Sequence, residues 1–167
     1  MSQPQRPLLM RANRLMGAAL VERNLVKIEE LEQANERLLQ IVDASPPRQC
    51  TVLGVLAYEM KALKEEDVVQ YRVEQEGLGV VDLRCYEVGE EVVKGLDLAA
   101  CWATWSVPFD KVDGFHFIAS AYWLSPAVRT FWEKQLDGPI LWFATTLEGI
   151  ADFIEKRESA APKPVAN

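Results

Sequence analysis

The sequence predicts an α/β (α+β) fold: an N-terminal pair of helix-turn-helix repeats packed on a small C-terminal β-β-α-β-α subdomain. Three observations predict it. Residues from Gly17 onward are echoed from Gly54 onward, an offset of 37 positions. Beyond residue 80 the helical spacing of apolar residues gives way to short runs rich in β-branched and aromatic side chains. The composition, 49% hydrophobic and 26% charged over 167 residues, is that of a folded globular chain able to bury well over half of its unfolded surface.

Taken in order, residues 1–12 carry Pro4 and Pro7 and read as a flexible tail, and 158–167, with Pro162 and Pro164, as a second one. Residues 13–79 form the duplicated helical region. Setting Gly17 over Gly54 aligns Glu22 with Glu59, Lys27 with Lys64 and Glu29 with Glu66, while Leu20, Leu25, Val26 and Leu31 meet Ala57, Ala62, Leu63 and Val68. Each copy holds a short helix (14–23; 52–60), a tight connection and a longer helix (28–42; 65–76). The Pro-rich stretch from Asp43 to Arg48 separates the copies, and Gly77 and Gly79 close the second. Glu65, Glu66 and Asp67 open its longer helix, where negative charge meets the positive end of the helix dipole.

Residues 80–157 form the α/β subdomain. Val80–Leu83 is a strand candidate, Glu90–Ala99 a helix, and Cys101–Val107 a strand whose alternation sends Trp102 and Trp105 to opposite faces. Asp110–Gly114 is a hairpin turn, with Asp110 and Asp113 as turn formers, into a strand over Phe115–Ala119. Pro126 opens a helix to Leu136, Asp137-Gly138-Pro139 ends it, Ile140–Ala144 is a buried strand, and Thr145–Lys156 is the last helix. Most of the five tryptophans are expected to fill this core; Trp102 and Trp105 are the test pair for an exposed aromatic partner surface.

Several function classes are excluded or disfavoured. With 18 basic against 25 acidic residues, a formal charge of -7, a broad surface that tracks nucleic-acid phosphates is not expected. Cys50, Cys85 and Cys101 form neither a disulfide framework nor a zinc spacing, which suggests a reducing compartment. The apolar run Leu15–Val21 is cut short by Glu22 and Arg23 and is read as helix rather than signal peptide; with no stretch long enough to span a bilayer, the expected location is cytoplasmic. His116, the single histidine, lies between Phe115 and Phe117, without a second ligand or a nucleophile nearby; a surface or partner contact is expected of it.

The residues Leu15-Met16-Gly17-Ala18-Ala19-Leu20-Val21, then Asn24-Leu25-Val26 and Leu31, resemble the R-L-G-x-x-L-V-x-x-G-L-L-x-x-x-x-L motif of the MshE N-terminal type domain of type II secretion and type IV pilus assembly ATPases. Leu53-Gly54 through Gln75, with Gly77 and Val81-Asp82-Leu83, resemble the second copy and exit of that domain, and Val107-Pro108-Phe109, Asp113-Gly114 and Ser125-Pro126 its later subdomain. The resemblance spans residues 14–157. It implies a regulatory or docking module that attaches an ATPase to a membrane-platform partner or binds cyclic di-GMP along the two motifs. The motif's leading Arg falls on Leu15 and Val52, with Arg14 one residue early; its Gly falls on Asn24 and Lys61; its closing Gln falls on Leu38 and is kept as Gln75.

The resemblance therefore implies ligand-binding residues Arg14, Gly17, Leu20, Val21, Leu25, Gly54 and Gln75. No G-x-x-x-x-G-K-[ST] loop is present to wrap phosphates, so a stand-alone module without hydrolysis is expected. The leading expectation is a non-enzymatic regulatory or adaptor module that docks on a protein partner of a secretion, pilus or exopolysaccharide system. A cyclic di-GMP sensor with a degenerate site is the alternative, and an enzyme with an unrecognised site a distant third.

Overall fold

The computed structural model describes residues 5–160. Helix α1 (Arg6–Glu22) lies against helix α2 (Ile28–Ile41); a 3-10 turn (Pro47–Gln49) leads to α3, a single turn (Val52–Gly54) that widens into a π turn (Val55–Glu59), and α4 (Glu65–Glu76) completes the helical half. The second half runs β1 (Gly79–Val80), α5 (Glu90–Val93), α6 (Leu98–Thr104), β2 (Ser106–Val112), β3 (Phe115–Ser120), α7 (Pro126–Gln135), β4 (Ile140–Ala144) and α8 (Leu147–Ala160). The strands form a mixed sheet in the order β1-β4-β3-β2, with β2 antiparallel to β3 and the other neighbours parallel. This is the α+β architecture expected.

The duplication is built into the backbone. Asn24 and Lys61, 37 residues apart, both adopt left-handed backbone conformations, at φ 58° and 53°. Lys27 and Lys64 then each stand, extended, at the N-cap of the longer helix. Leu31 and Val68, again equivalent, are both buried. The two short helices differ, because the second is largely a π turn.

Three expectations about the ends and turns need correction. Residues 6–12 are helical, not a tail: Pro7 sits in the first turn, where its missing N–H costs nothing, and Leu9 and Ala12 are buried on the same face as Met16. Residues 158–160 complete α8, while residues 1–4 and 161–167 lie outside the described part. The hairpin turn is confined to Asp113 (φ 51°) and Gly114 (φ 83°), two positive values as a tight type I′ turn requires; Asp110 stays within β2.

Larger differences fall between residues 80 and 107. The Val80–Leu83 strand shrinks to Gly79–Val80, because the Asp82 carboxylate takes the Arg84 N–H and turns the chain into a 3-10 turn, Leu83–Cys85. The expected helix at 90–99 is split at Gly95 (φ 79°). Cys101–Thr104 is helix rather than strand: Asp97 caps α6 by accepting the Ala100 N–H, and the Thr104 hydroxyl bonds back to the Ala100 carbonyl. Trp105 then takes a left-handed conformation (φ 48°) and the strand begins at Ser106.

One core joins the halves. Met16, Leu20 and Leu31 from the first repeat, Leu53 and Leu56 from the second, and Trp105, Ile118 and Ile150 from the α/β part belong to the same buried cluster. Of the tryptophans, Trp102, Trp105 and Trp132 are buried, as most were expected to be. Trp102 is 3% and Trp105 0% exposed, so the aromatic partner surface assigned to them does not exist: without strand alternation, both indoles turn inward and meet edge to face at 5.5 Å.

Candidate functional site

The seven residues singled out along the repeats do not converge on one place. Gly17 is buried beneath Leu31, whose Cδ1 would lie 2.5 Å from a Cβ at this position; the glycine serves helix packing. Leu20 is fully buried and offers a ligand no surface. Val21 and Leu25 are half-buried and line a shallow groove of about 460 Å³ at the first repeat's turn, together with Asn24, Lys27, Glu29 and Ala62. Gly54 lines a separate groove of about 260 Å³ with Arg48, Thr51, Tyr58, Leu147 and Glu148. Arg14 and Gln75 are exposed and border neither groove.

Beneath Gly54 lies a buried polar network. The Thr51 hydroxyl accepts the Gly54 N–H at 3.2 Å and bonds the Tyr122 hydroxyl. Tyr122 donates to Asn13 Oδ1 at 2.6 Å, and that oxygen also accepts the Val52 N–H at 2.8 Å. Burial pushes the Tyr122 hydroxyl well above the usual phenol range, so it remains a donor at every physiological pH. The floor of the groove is therefore held from α1, from the start of α3 and from the end of β3 at once.

Glu148 is the acidic residue of its lining, and carboxylates just outside it engage two other lining side chains, Arg48 and Tyr58. Arg48 donates to Asp152 at 2.5 Å and to Glu155 at 2.8 Å, which holds Glu155 below the usual carboxylate range and raises the guanidinium. Tyr58 donates to Glu65 at 2.5 Å; burial first, then this contact, raises the phenol. Glu65, itself buried, also accepts the Leu147 N–H at 2.6 Å at the start of α8. Arg48, Tyr58 and Glu148 carry no motif signal, and the sequence reads Glu65 as a helix opener alone. Arg48 precedes Gly54 by six residues but meets acids more than 100 residues away, a contact that no spacing rule reveals.

Elsewhere, His116 is half-buried, and its Nε2–H donates to the Asp137 carbonyl at 2.7 Å. Among the described residues no cluster of three or more His, Cys, Asp or Glu side chains could hold a metal, and no helix is long and apolar enough to cross a membrane.

No protein-family model and no curated protein matches the chain. Solved structures do. The structure of MshE with cdg (cyclic di-GMP) shares 19% identity, with a TM-score of 0.54 over 84% of this chain and 96% of that one. The N-terminal domain of XpsE matches in two crystal forms: at 22% identity over 87% and 94% of the two chains, and at 24% over 83% and 90%, each with a TM-score of 0.54. The chain has the fold of the MshE and XpsE N-terminal domains. In this MshE/XpsE-type fold the two left-handed residues, Asn24 and Lys61, sit where the resemblance expects glycine, the residue that adopts a positive φ at least cost.

Proposed function

We propose that the chain is a non-catalytic regulatory or adaptor module of a secretion, pilus or exopolysaccharide assembly, acting in the cytoplasm by docking on a protein partner. The observation that carries this is the electrostatics of the two repeat grooves. A cyclic dinucleotide presents two phosphates, which are best met by unengaged guanidinium groups or by open backbone N–H groups. At Gly54 the available guanidinium, Arg48, is already clamped by two carboxylates, with Glu148 alongside, and the Gly54 N–H is occupied by Thr51. At the first repeat, Lys27 shares its groove with Glu29 and Glu30. Both grooves suit a neutral or basic protein surface better than a dianion.

The second reading is a cyclic di-GMP sensor. It is favoured by the likeness to MshE with cdg and by the matching left-handed turns of the two repeats, at positions where the resemblance expects glycine. Calorimetric titration separates the two. Absence of heat and of amide chemical-shift change at about 1 mM cyclic di-GMP supports docking alone. Saturable binding with a dissociation constant near micromolar, about -8 kcal/mol, establishes the sensor.

A further inference from the structure

A large cleft lies away from both repeats, on the α/β part. It measures about 680 Å³ and opens between the α5–α6 segment, the outer strand β2 and the last turns of α7. That volume falls in the range of built ligand clefts, about 300–1,000 Å³. Its floor is apolar, with Leu96, Phe131 and Leu136 contributing. Its rim carries Glu90, Glu91, Asp97 and Asp110 against a single cation, Lys111. None of the four carboxylates is ion-paired among the described residues, whose salt bridges all lie elsewhere.

The edge of β2 limits how an occupant can bind. Pro108 has no N–H, and the Lys111 N–H is taken by the Asp110 carboxylate at 2.8 Å, so at these two positions bordering the cleft the outer strand offers no donor to an added strand. Recognition must come from side chains. A metal ion does not match an apolar floor, and an anion is repelled by the rim. The occupant that satisfies floor and rim together carries apolar side chains flanked by Lys or Arg.

We propose that this cleft is the docking groove for a basic segment with apolar anchors on a protein partner. The proposal rests on the docking reading above and deepens it by assigning the surface and the partner's chemistry. Glu90 and Glu91, both exposed, select the cationic residues, while the floor formed with Phe131 takes the anchors.

The test uses the full chain and a fluorescein-labelled peptide alternating Lys and Leu, with a Glu/Leu peptide of the same length as its charge-reversed counterpart. The Lys/Leu peptide should bind and shift the Trp132 indole and the Ala100 and Lys111 amides, and the Glu/Leu peptide should not. The double variant E90K/E91K should weaken binding at least tenfold, whereas E32K/E36K, an equal charge change at two exposed positions of α2 outside both repeat grooves, should alter it less than twofold. Equal losses in the two variants, or shifts outside the cleft, would overturn the proposal. Gln135→Lys on the α7 wall repeats the test should E90K/E91K lower the melting temperature. Capture of a secretion or pilus component that survives E90K/E91K overturns the groove while leaving docking intact. Failure of the wild-type chain to capture any such component overturns the docking reading, whatever the peptide does.

Discussion

Asn24 and Lys61 illustrate how a single residue can hold a turn against its own preference. A left-handed backbone costs a non-glycine residue roughly 1–2 kcal/mol, and less for Asn, whose short amide tolerates it. Lys61→Gly should therefore raise the stability by up to about 1 kcal/mol after the added entropy of the unfolded chain, and Asn24→Gly by less. Urea denaturation of both variants checks this; a destabilised Lys61→Gly would mean that the lysine side chain contributes more than its backbone costs. Arg48 has a pH signature. Its partner Glu155 is held below the usual carboxylate range, so the pair stabilises the fold above the unfolded carboxylate pKa of about 4.3 and loses that contribution as pH falls through the folded value. All three side chains are more than a third exposed, which limits the effect to about 1 kcal/mol or less. Arg48→Met should be measurably less stable than wild type at pH 7 and indistinguishable from it near pH 3.

Within the helices, the two equivalent glycines fail in different ways when replaced. At Gly17 a side chain meets the terminal methyl of Leu31, which can swing only within a packed core; at Gly54 it meets Thr51 Cγ2 at 2.6 Å and displaces the hydroxyl that caps the turn and bonds Tyr122. Gly17→Leu and Gly54→Leu should each cost about 1–3 kcal/mol by overpacking. In contrast, Gly54→Ala should already be destabilising, because Thr51 cannot move without breaking two hydrogen bonds. A melting temperature unchanged in Gly54→Ala would remove that network from the argument. For α6, truncating Trp105, fully buried with its indole N–H on the Cys50 carbonyl at 3.3 Å, should cost about 3–5 kcal/mol and act on folding, not docking.

For the whole molecule, the decisive contacts cross between the halves. Arg72, fully buried on α4, donates to the Ser120 carbonyl at 2.5 Å and the Thr145 carbonyl at 3.0 Å, at the ends of β3 and β4. Burial lowers its guanidinium to about 10, still cationic at neutral pH. Glu65, two turns earlier on α4, tethers the start of α8. With one shared core besides, the chain should unfold in a single transition. Tryptophan fluorescence weighs the α/β half, since all five indoles lie between Trp102 and Trp142, whereas far-UV circular dichroism weighs the helical repeats. Coincident urea transitions by the two probes are expected; separated midpoints would show two independent units.

The fold class, the 37-residue duplication, the Asp113-Gly114 hairpin and the α7–β4 order were legible in the sequence, because each is a local pattern: periodicity, a turn dipeptide or a proline at a helix start. Two kinds of feature were not. The segment around Trp102 is strand by propensity and helix in fact, because Asp97 caps it and the core on either side takes both indoles. Likewise, the repeat residues Arg14, Leu20, Gly54 and Gln75 looked like one site only while their burial was unknown. Which of them faces solvent, which cation is already neutralised, and where four carboxylates border an apolar cleft depend on partners tens of residues away along the chain. Burial and charge pairing are properties of three-dimensional neighbours, and only tertiary packing chooses those.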